Sequence, residues 1–323
     1  MNLLASLRYL VALDEHRHFG RAAAACHITQ PALSNAMRAL EREFAVVIVK
    51  RGRAYAGLTP EGERVLAAAQ RMLHEHGLLQ QELQSGAGRP RGALRIGAVP
   101  TAMPIAARFA ARLQAMQPGI VPAVLSLSSA ELETGLESLS LDLALGYTER
   151  MQLREVRLAA WPQYTEHYFL LGRAARPGAA LRIGAPLRWK QAAALPLCML
   201  TPEMHNRAIV DGAFVTAGAP VRPVIETNSV LGLMLAVVAG EVCSVLPGAL
   251  VDTLRGHPDL EARPLVEPEV RTPIGLMAPQ AVRASRAMEA ALSLAQSRDW
   301  LAHAGAHSGL LKRPRGRAGA ASA

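Results

Sequence analysis

Apolar residues in the first part of the chain recur at helical spacing. Leu3, Leu7, Leu10 and Val11 form one stripe, with Arg8 and Asp14 outside it, which predicts a packing helix over residues 3–13. A shorter helix is expected from Gly20 through Ala22, Ala23, Ala24 and Ala25 to Cys26, where small side chains let another helix approach closely. Thr29 then reads as a helix cap and Pro31 as a first-turn residue of a third helix. Along that helix Leu33, Met37, Leu40 and Phe44 make the expected buried stripe, so Gln30, Ser34, Asn35 and Arg38 face outward. Thr59, Pro60 and Glu61 start a fourth helix that runs to about Gln84. In it Val65, Ala69, Met72, His76, Leu79 and Leu83 alternate spacings of four and three, a seam that asks for a partner helix.

The pattern changes after Ser85-Gly86-Ala87-Gly88-Arg89-Pro90-Arg91-Gly92, and residues 86–92 read as a hinge. Short apolar runs then alternate with helical stretches. Strands are expected at Leu94–Val99, Val121–Leu127, Leu141–Leu145, Tyr168–Leu171, Leu195–Leu200, Val221–Ile225, Val242–Leu246 and Ile274–Met277. Helices are expected from about Met103, from about Ala130, at Met204–Ala217 and Val230–Ala239, and from Val282 towards Trp300. This alternation implies an α/β domain with a largely parallel sheet.

Charge narrows the partner. The 323 residues hold 35 Lys+Arg against 26 Asp+Glu, a formal net charge of +9 that favours nucleic acid or an anionic ligand. Lys312, Arg313, Arg315 and Arg317 belong to a Gly/Ala/Pro/Ser-rich segment, 306–323, that reads as a disordered basic tail. The exposed face of the third helix has base-reading chemistry: Gln and Asn can pair with adenine, Arg with guanine, and Ser with a base or a phosphate. A solvated helix also carries such a face.

Other chemistries find little support. Cys26, Cys198 and Cys243 form no C-x-x-C pair and read as buried reduced thiols. His74 and His76 are two apart on a helix and point in different directions, so no metal is expected. No cofactor is expected either, because the chain has no glycine-rich phosphate loop and no G-x-S-x-G turn, which also argues against an enzyme. Without a basic start followed by a long apolar run, or a stretch of transmembrane length, a cytoplasmic protein that does not engage the membrane is expected. Polar residues stand at several strand-to-helix turns: Thr101 after Pro100, Ser128 and Ser129, Thr201 before Pro202, and Thr227, Asn228 and Ser229. Each can be a cap alone. Several such turns facing one cleft would suit a small anion.

Phe19-Gly20-Arg21-Ala22-Ala23, Ile28-Thr29-Gln30-Pro31-Ala32-Leu33-Ser34, Ala39-Leu40-Glu41 and Leu58-Thr59-Pro60-Glu61-Gly62 resemble the helix-turn-helix signature of LysR-type transcriptional regulators. The resemblance implies a winged helix-turn-helix over 1–59, a linker and dimerisation helix over 60–85, and an effector domain over 93–305 similar to a two-lobed periplasmic binding protein. Lobe one then spans about 93–162 and 268–303, and lobe two about 163–267. Asp142-Leu143-Ala144-Leu145-Gly146 and Gly240-Glu241-Val242-Cys243-Ser244-Val245-Leu246-Pro247 are the segments most similar to that module.

By the same resemblance, Thr29, Gln30, Pro31, Ser34, Asn35 and Arg38 would meet the major groove, and Arg51 and Arg53 would lie in the wing. Pro100, Thr101, Ser128, Ser129, Thr201, Met204, His205, Thr227 and Asn228 would meet a small organic or inorganic anion as effector. Val65, Ala69, Met72, Leu79 and Leu83 would hold a homodimer, or a homotetramer, on double-stranded promoter DNA, with RNA polymerase as a further partner. The effector half read alone would fit a solute-binding protein-like domain without DNA regulation.

The wing departs from the family pattern. Phe44-Ala45-Val46-Val47-Ile48-Val49-Lys50-Arg51 stands where the family has a Gly ending the helix, a Pro, a Phe and an acid before the Arg. If Ala45 keeps a left-handed backbone, it costs about 1 kcal/mol relative to Gly. Gly20 replaces a Ser or Thr cap at a cost of a few tenths of a kcal/mol.

Overall fold

The computed structural model describes residues 2–50, 52, 55–84, 90–151, 158–176, 178–280 and 283–308. Arg51, Arg53, most of the expected hinge, Val282 and most of the expected tail lie outside the described residues. The chain falls into two compact units, one built on Met1–Arg89 and the other beginning at Pro90.

Four helices make the first unit: α1 (Leu3–His16), α2 (Phe19–Ala25), α3 (Gln30–Phe44) and α4 (Pro60–Gln84). Leu7, Leu10 and Leu13 of α1, Ala22 and Ala23 of α2, and Leu33, Met37 and Leu40 of α3 close on one core, which Ile48 and Leu58 complete. A fully buried Leu stabilises such a core by roughly 1.5–3 kcal/mol. Three local details differ from expectation. The cap of α2 is His18, whose Nδ1 accepts from Gly20 N at 3.0 Å, so the helix starts at Phe19 and Gly20 lies inside it. Phe44 is exposed, because the last turn of α3 runs past the core. The seam on α4 divides: Ala69 is fully buried and Val65 packs beside it, since the first half of α4 lies on α1. Ala69 is therefore unavailable to a partner, whereas Met72, Leu79 and Leu83 are exposed.

The second unit begins with β1 (Gly92–Ala98), a 3-10 turn at Pro100–Ala102, α5 (Met103–Met116), β2 (Ile120–Ser126), α6 (Ser129–Glu137), β3 (Leu143–Tyr147) and α7 (Thr148–Met151). The long β4 (Leu158–Arg173) leads into β5 (Arg182–Ile183), β6 (Leu187–Arg188), α8 (Trp189–Ala192), β7 (Cys198–Leu200), α9 (His205–Thr216), β8 (Ile225–Thr227) and α10 (Val230–Ala239). The chain closes with β9 (Ser244–Pro247), α11 (Gly248–Thr253), β10 (Leu260–Val266), β11 (Arg271–Pro279), α12 (Arg286–Gln296) and α13 (Arg298–Ala306).

The main sheet runs β2-β1-β3-β11-β4-β10-β5, with β6 on β10 and β9 on β4, while β7 and β8 pair separately. It is mixed rather than largely parallel. β1 pairs in parallel with β2 and β3, but β11 returns antiparallel between β3 and β4, and β4 then pairs antiparallel with β9 and β10. Two passes of the chain between lobes account for those antiparallel neighbours. The core of lobe one gathers Ile96, Ile105, Phe109, Leu143 and Trp300. In lobe two the alternation of β4 feeds two cores, Phe169 and Leu171 on one face and Tyr168 and Leu170 on the other. Residues 221–224, expected as strand, are irregular, and β8 starts at Ile225. The expected last helix is two, broken at Ser297, whose side chain caps α13 by accepting from Trp300 N.

Candidate functional site

In the first unit, α3 begins at Thr29, whose Oγ1 accepts from Ala32 N at 3.4 Å. The buried stripe of Leu33, Met37 and Leu40 turns the opposite face outward. Thr29, Gln30, Pro31, Asn35 and Arg38 are exposed on it and Ser34 is half-buried. Arg38, Arg42 and Lys50 make no ion pair among the described residues, so their charge is uncommitted. Glu41, on the same face one turn after Arg38, joins α3 to the segment that follows: its Oε1 accepts from Ile48 N at 2.9 Å and Val49 N at 3.2 Å. Val49 bridges antiparallel to Leu58, and Lys50 N donates to Gly57 O at 3.0 Å, which forms the base of a hairpin. Thr59 seats the start of α4, donating to Val47 O and accepting from Gly62 N at 2.9 Å. The turn out of α3 passes through Ala45 at φ 52° and ψ 35°, a left-handed conformation that an L side chain resists. Sequence reasoning missed Lys50, which sits exposed beside the arginines of the expected wing.

In the second unit, a tight recess of about 10 Å³ lies between the lobes, lined by Val99, Pro100, Thr101, Ser128, Ser129, Tyr147, Leu200, Met204, His205 and Asn206. Of the residues expected at an effector site it brings together Pro100, Thr101, Ser128, Ser129, Met204 and His205. Thr201, Thr227 and Asn228 stand aside. Thr201 donates to Glu203 at 2.6 Å and Thr227 Oγ1 accepts from Ser229 N at 3.1 Å, both local turn bonds. Asn228 lines a neighbouring apolar groove with Met103, Leu231 and Met234.

Within the recess the polar groups differ in how far they are committed. Ser128 and Glu131 form a reciprocal capping box at the start of α6. Ser129 is buried, and its hydroxyl has no hydrogen-bond partner. Met204 precedes α9 without a side-chain cap, and the start of that helix, Met204 to Asn206, lines the recess, with Arg207 N bonded to Met204 O at 2.9 Å. The His205 ring packs edge-on to Tyr147 at 4.9 Å, and burial, followed by the charge of Arg150, lowers its pKa. Arg207, one turn into α9, anchors the helix to Leu200 O at 2.7 Å, Glu226 at 2.6 Å and Asp211 at 2.9 Å.

Beneath the recess lies a polar layer that the sequence did not reveal. Thr101 Oγ1 and Tyr147 OH are 2.9 Å apart, Asn206 donates to Tyr168 OH at 3.4 Å, and Tyr168 OH is 3.1 Å from Thr272 Oγ1. No cysteine lines the recess. Cys198 is buried and Cys26 and Cys243 are half-buried. Cys198 and Cys243 lie on neighbouring strand segments, but their thiols enter opposite cores.

Comparison with known proteins finds one family for both units. Residues 4–63 match the bacterial regulatory helix-turn-helix of the lysR family, and residues 87–300 match the LysR substrate binding domain. The chain is 28% identical over 284 residues to the DNA-binding transcriptional dual regulator OxyR of Escherichia coli (strain K12), covering 85% of this chain and 88% of that one. It is 32% identical over 193 residues to the probable HTH-type transcriptional regulator LrrA of Synechococcus elongatus, covering 58% and 62%. Among solved structures, a full-length OxyR variant from Pseudomonas aeruginosa superposes with TM-score 0.66 at 27% identity, covering 90% of this chain and 96% of that one. The LysR family regulator CbnR shares the fold, with TM-score 0.61 at 18% identity over 94% of this chain and 99% of that one. A reading helix with free cations and a hydroxyl-lined cleft between two lobes are thus the two halves of one known design, and the chain belongs to the LysR family of bacterial transcriptional regulators.

Proposed function

We propose that this LysR-type regulator works in the cytoplasm as a homodimer or homotetramer on an imperfect inverted repeat in promoter DNA. A small anion held in the recess changes the spacing or angle of its reading heads, and so the access of RNA polymerase. Gln30, Asn35 and Arg38 read base edges, Ser34 adapts to a base or a phosphate, and Arg51 and Arg53 with Lys50 hold the backbone. The exposed apolar residues Met72, Leu79 and Leu83 of α4 support pairing through that helix.

The observation that carries the effector reading is one recess lined both by the first turn of α9, which has no side-chain cap, and by Ser129, whose buried hydroxyl has no partner. At about 10 Å³ the recess has room for about one water, so a ligand of even a few atoms has to part the lobes to enter. Several curated relatives are named hydrogen peroxide-inducible genes activators. In this chain the recess has no thiol, and burial raises the pKa of all three cysteines, which favours reversible binding over oxidation of a cysteine. Two tests separate the halves of the reading. Replacing Gln30 and Arg38 with Ala abolishes specific footprinting if α3 reads DNA. Replacing Ser129 with Val removes ligand-dependent changes in that footprint while leaving DNA binding intact; an unchanged ligand response overturns the cleft assignment.

A further inference from the structure

Under the recess stands a carboxyl group for which the reading above has no use. Glu166 of β4 is fully buried and has no ion pair among the described residues. Its Oε1 has no hydrogen-bond partner and Tyr168 OH lies 3.5 Å from Oε2, while the Thr101 hydroxyl, bonded to Tyr147 OH at 2.9 Å, stands near enough to favour the charged carboxylate. The titratable groups that face it are Tyr164 and Tyr168 from its own strand and Tyr147 from β3, with His205 of α9 one ring further out against Tyr147. Thr101, Thr272 and Asn206 complete the layer from the turn before α5, from β11 and from α9. Burial pushes the Glu166 pKa up to about 8, against the opposing hydrogen bonds of Thr101 and Tyr168. Burial likewise raises the three tyrosines, so they stay protonated.

Each hydroxyl in this layer has one proton to place. A carboxylate at Glu166 draws the Thr101 proton inward and leaves lone pairs towards the recess. A neutral carboxylic acid donates instead, so Thr101 accepts from it and donates to Tyr147, which leaves the Tyr147 proton available to a ligand. We propose that Glu166 is the specificity-determining residue of the effector cleft: as a neutral acid it turns the Thr101–Tyr147 pair so that the pair's one free proton faces a small anion, and as a carboxylate it withdraws that proton and repels the anion. The proposal rests on the anion reading of the cleft and adds a linkage to it: above the Glu166 pKa, binding an anion takes up one proton from solvent.

Calorimetric titration of the full-length protein with acetate and with sulfate tests this. Wild-type affinity for whichever anion binds is expected to fall about tenfold between about pH 7 and about pH 9, whereas Glu166→Gln, which carries a permanently neutral side chain, still binds and changes less than about twofold. Equal pH slopes in the two proteins overturn the proposal, as does loss of anion binding in a Glu166→Gln protein whose circular dichroism and DNA affinity are unchanged. Methylammonium binding that strengthens with pH reverses the sign and overturns it too. Thermal unfolding without added ligand separates the two readings. If neither anion binds at about pH 6 while the melting temperature of Glu166→Gln rises relative to wild type between about pH 5 and about pH 8, Glu166 is a neutral acid and the anion reading is what fails. If the anions bind and the melting temperatures stay parallel, the Glu166 assignment fails alone.

Discussion

The face of α3 proposed to read DNA and the floor of the recess proposed to hold the effector are both polar, yet they are built in opposite ways. On α3 the side chains proposed to read DNA come from one continuous segment, and Gln30, Asn35 and Arg38 are exposed with no side-chain partner among the described residues, while Thr29 caps the helix and Ser34 is half-buried. In the recess they come from several separate segments and are largely buried, and most already bond one another. The difference teaches where specificity resides. On an exposed face it belongs to each side chain, and substitutions there should act independently. In a buried layer it belongs to the network, because moving one proton re-aims the others.

The largest expected effect tests the buried layer. A carboxyl group whose folded pKa is raised binds a proton that the unfolded chain releases, so its contribution to stability is whole below the unfolded value and is lost as pH rises. For Glu166 that loss runs between about pH 4.5 and about pH 8, reaches on the order of 4 kcal/mol, and levels off above. Denaturant unfolding of wild type and Glu166→Gln across that range should therefore diverge; parallel curves would mean that the layer is solvated and the contrast with α3 false. Next in size, Arg38→Ala should weaken specific DNA binding by about 1–3 kcal/mol with little change in stability, read by fluorescence anisotropy against operator and random DNA. Substituting Leu79 with Glu puts a charge on the exposed apolar side of α4. If that side pairs, the dimer should weaken by roughly 1.5–3 kcal/mol, visible in sedimentation as a shift towards monomer. The smallest effect concerns the turn between reading helix and hairpin: Ala45→Gly should stabilise the first unit by up to about 1 kcal/mol, because Gly adopts the left-handed conformation without penalty. A loss of stability there would show that the Ala side chain packs usefully in the native turn.

How much could be read in advance follows the same contrast. The chemistry of α3 is written at a spacing of 3.6 within fifteen residues, with a cap at Thr29 and a proline after it, so its bounds and its exposed face were legible. The bounds of α4 were legible too, but not which side of its seam would be used at home, because Ala69 fits a partner helix and its own core equally well. The strand β4 is legible only as Tyr168–Leu171, where both faces are buried; before it Gln163 and Glu166 are polar residues at buried positions and Thr165 is exposed, so no apolar alternation shows. Glu166 itself was invisible. Its neighbours Thr101, Tyr147 and Thr272 are far from it along the chain, and a single sequence gives no register between distant segments. Thr201 and Thr227 were named as ligand contacts for the converse reason: they stand in turns of the right kind, but spend their hydroxyls on the turns themselves.

One more consequence follows from β4. Its first part, through His167, is paired with β11 in lobe one, and its last part, from Tyr168 on, with β9 and β10 in lobe two. The lobes therefore share a torsion bar rather than a loose tether, and any rocking of one against the other has to be taken up as twist near the change of partners. Glu166 sits two residues before the new partners begin, close to the fulcrum. A proton gained or lost there acts where the lever arm is shortest, and a small local rearrangement can become a displacement many times larger at the rims of the cleft.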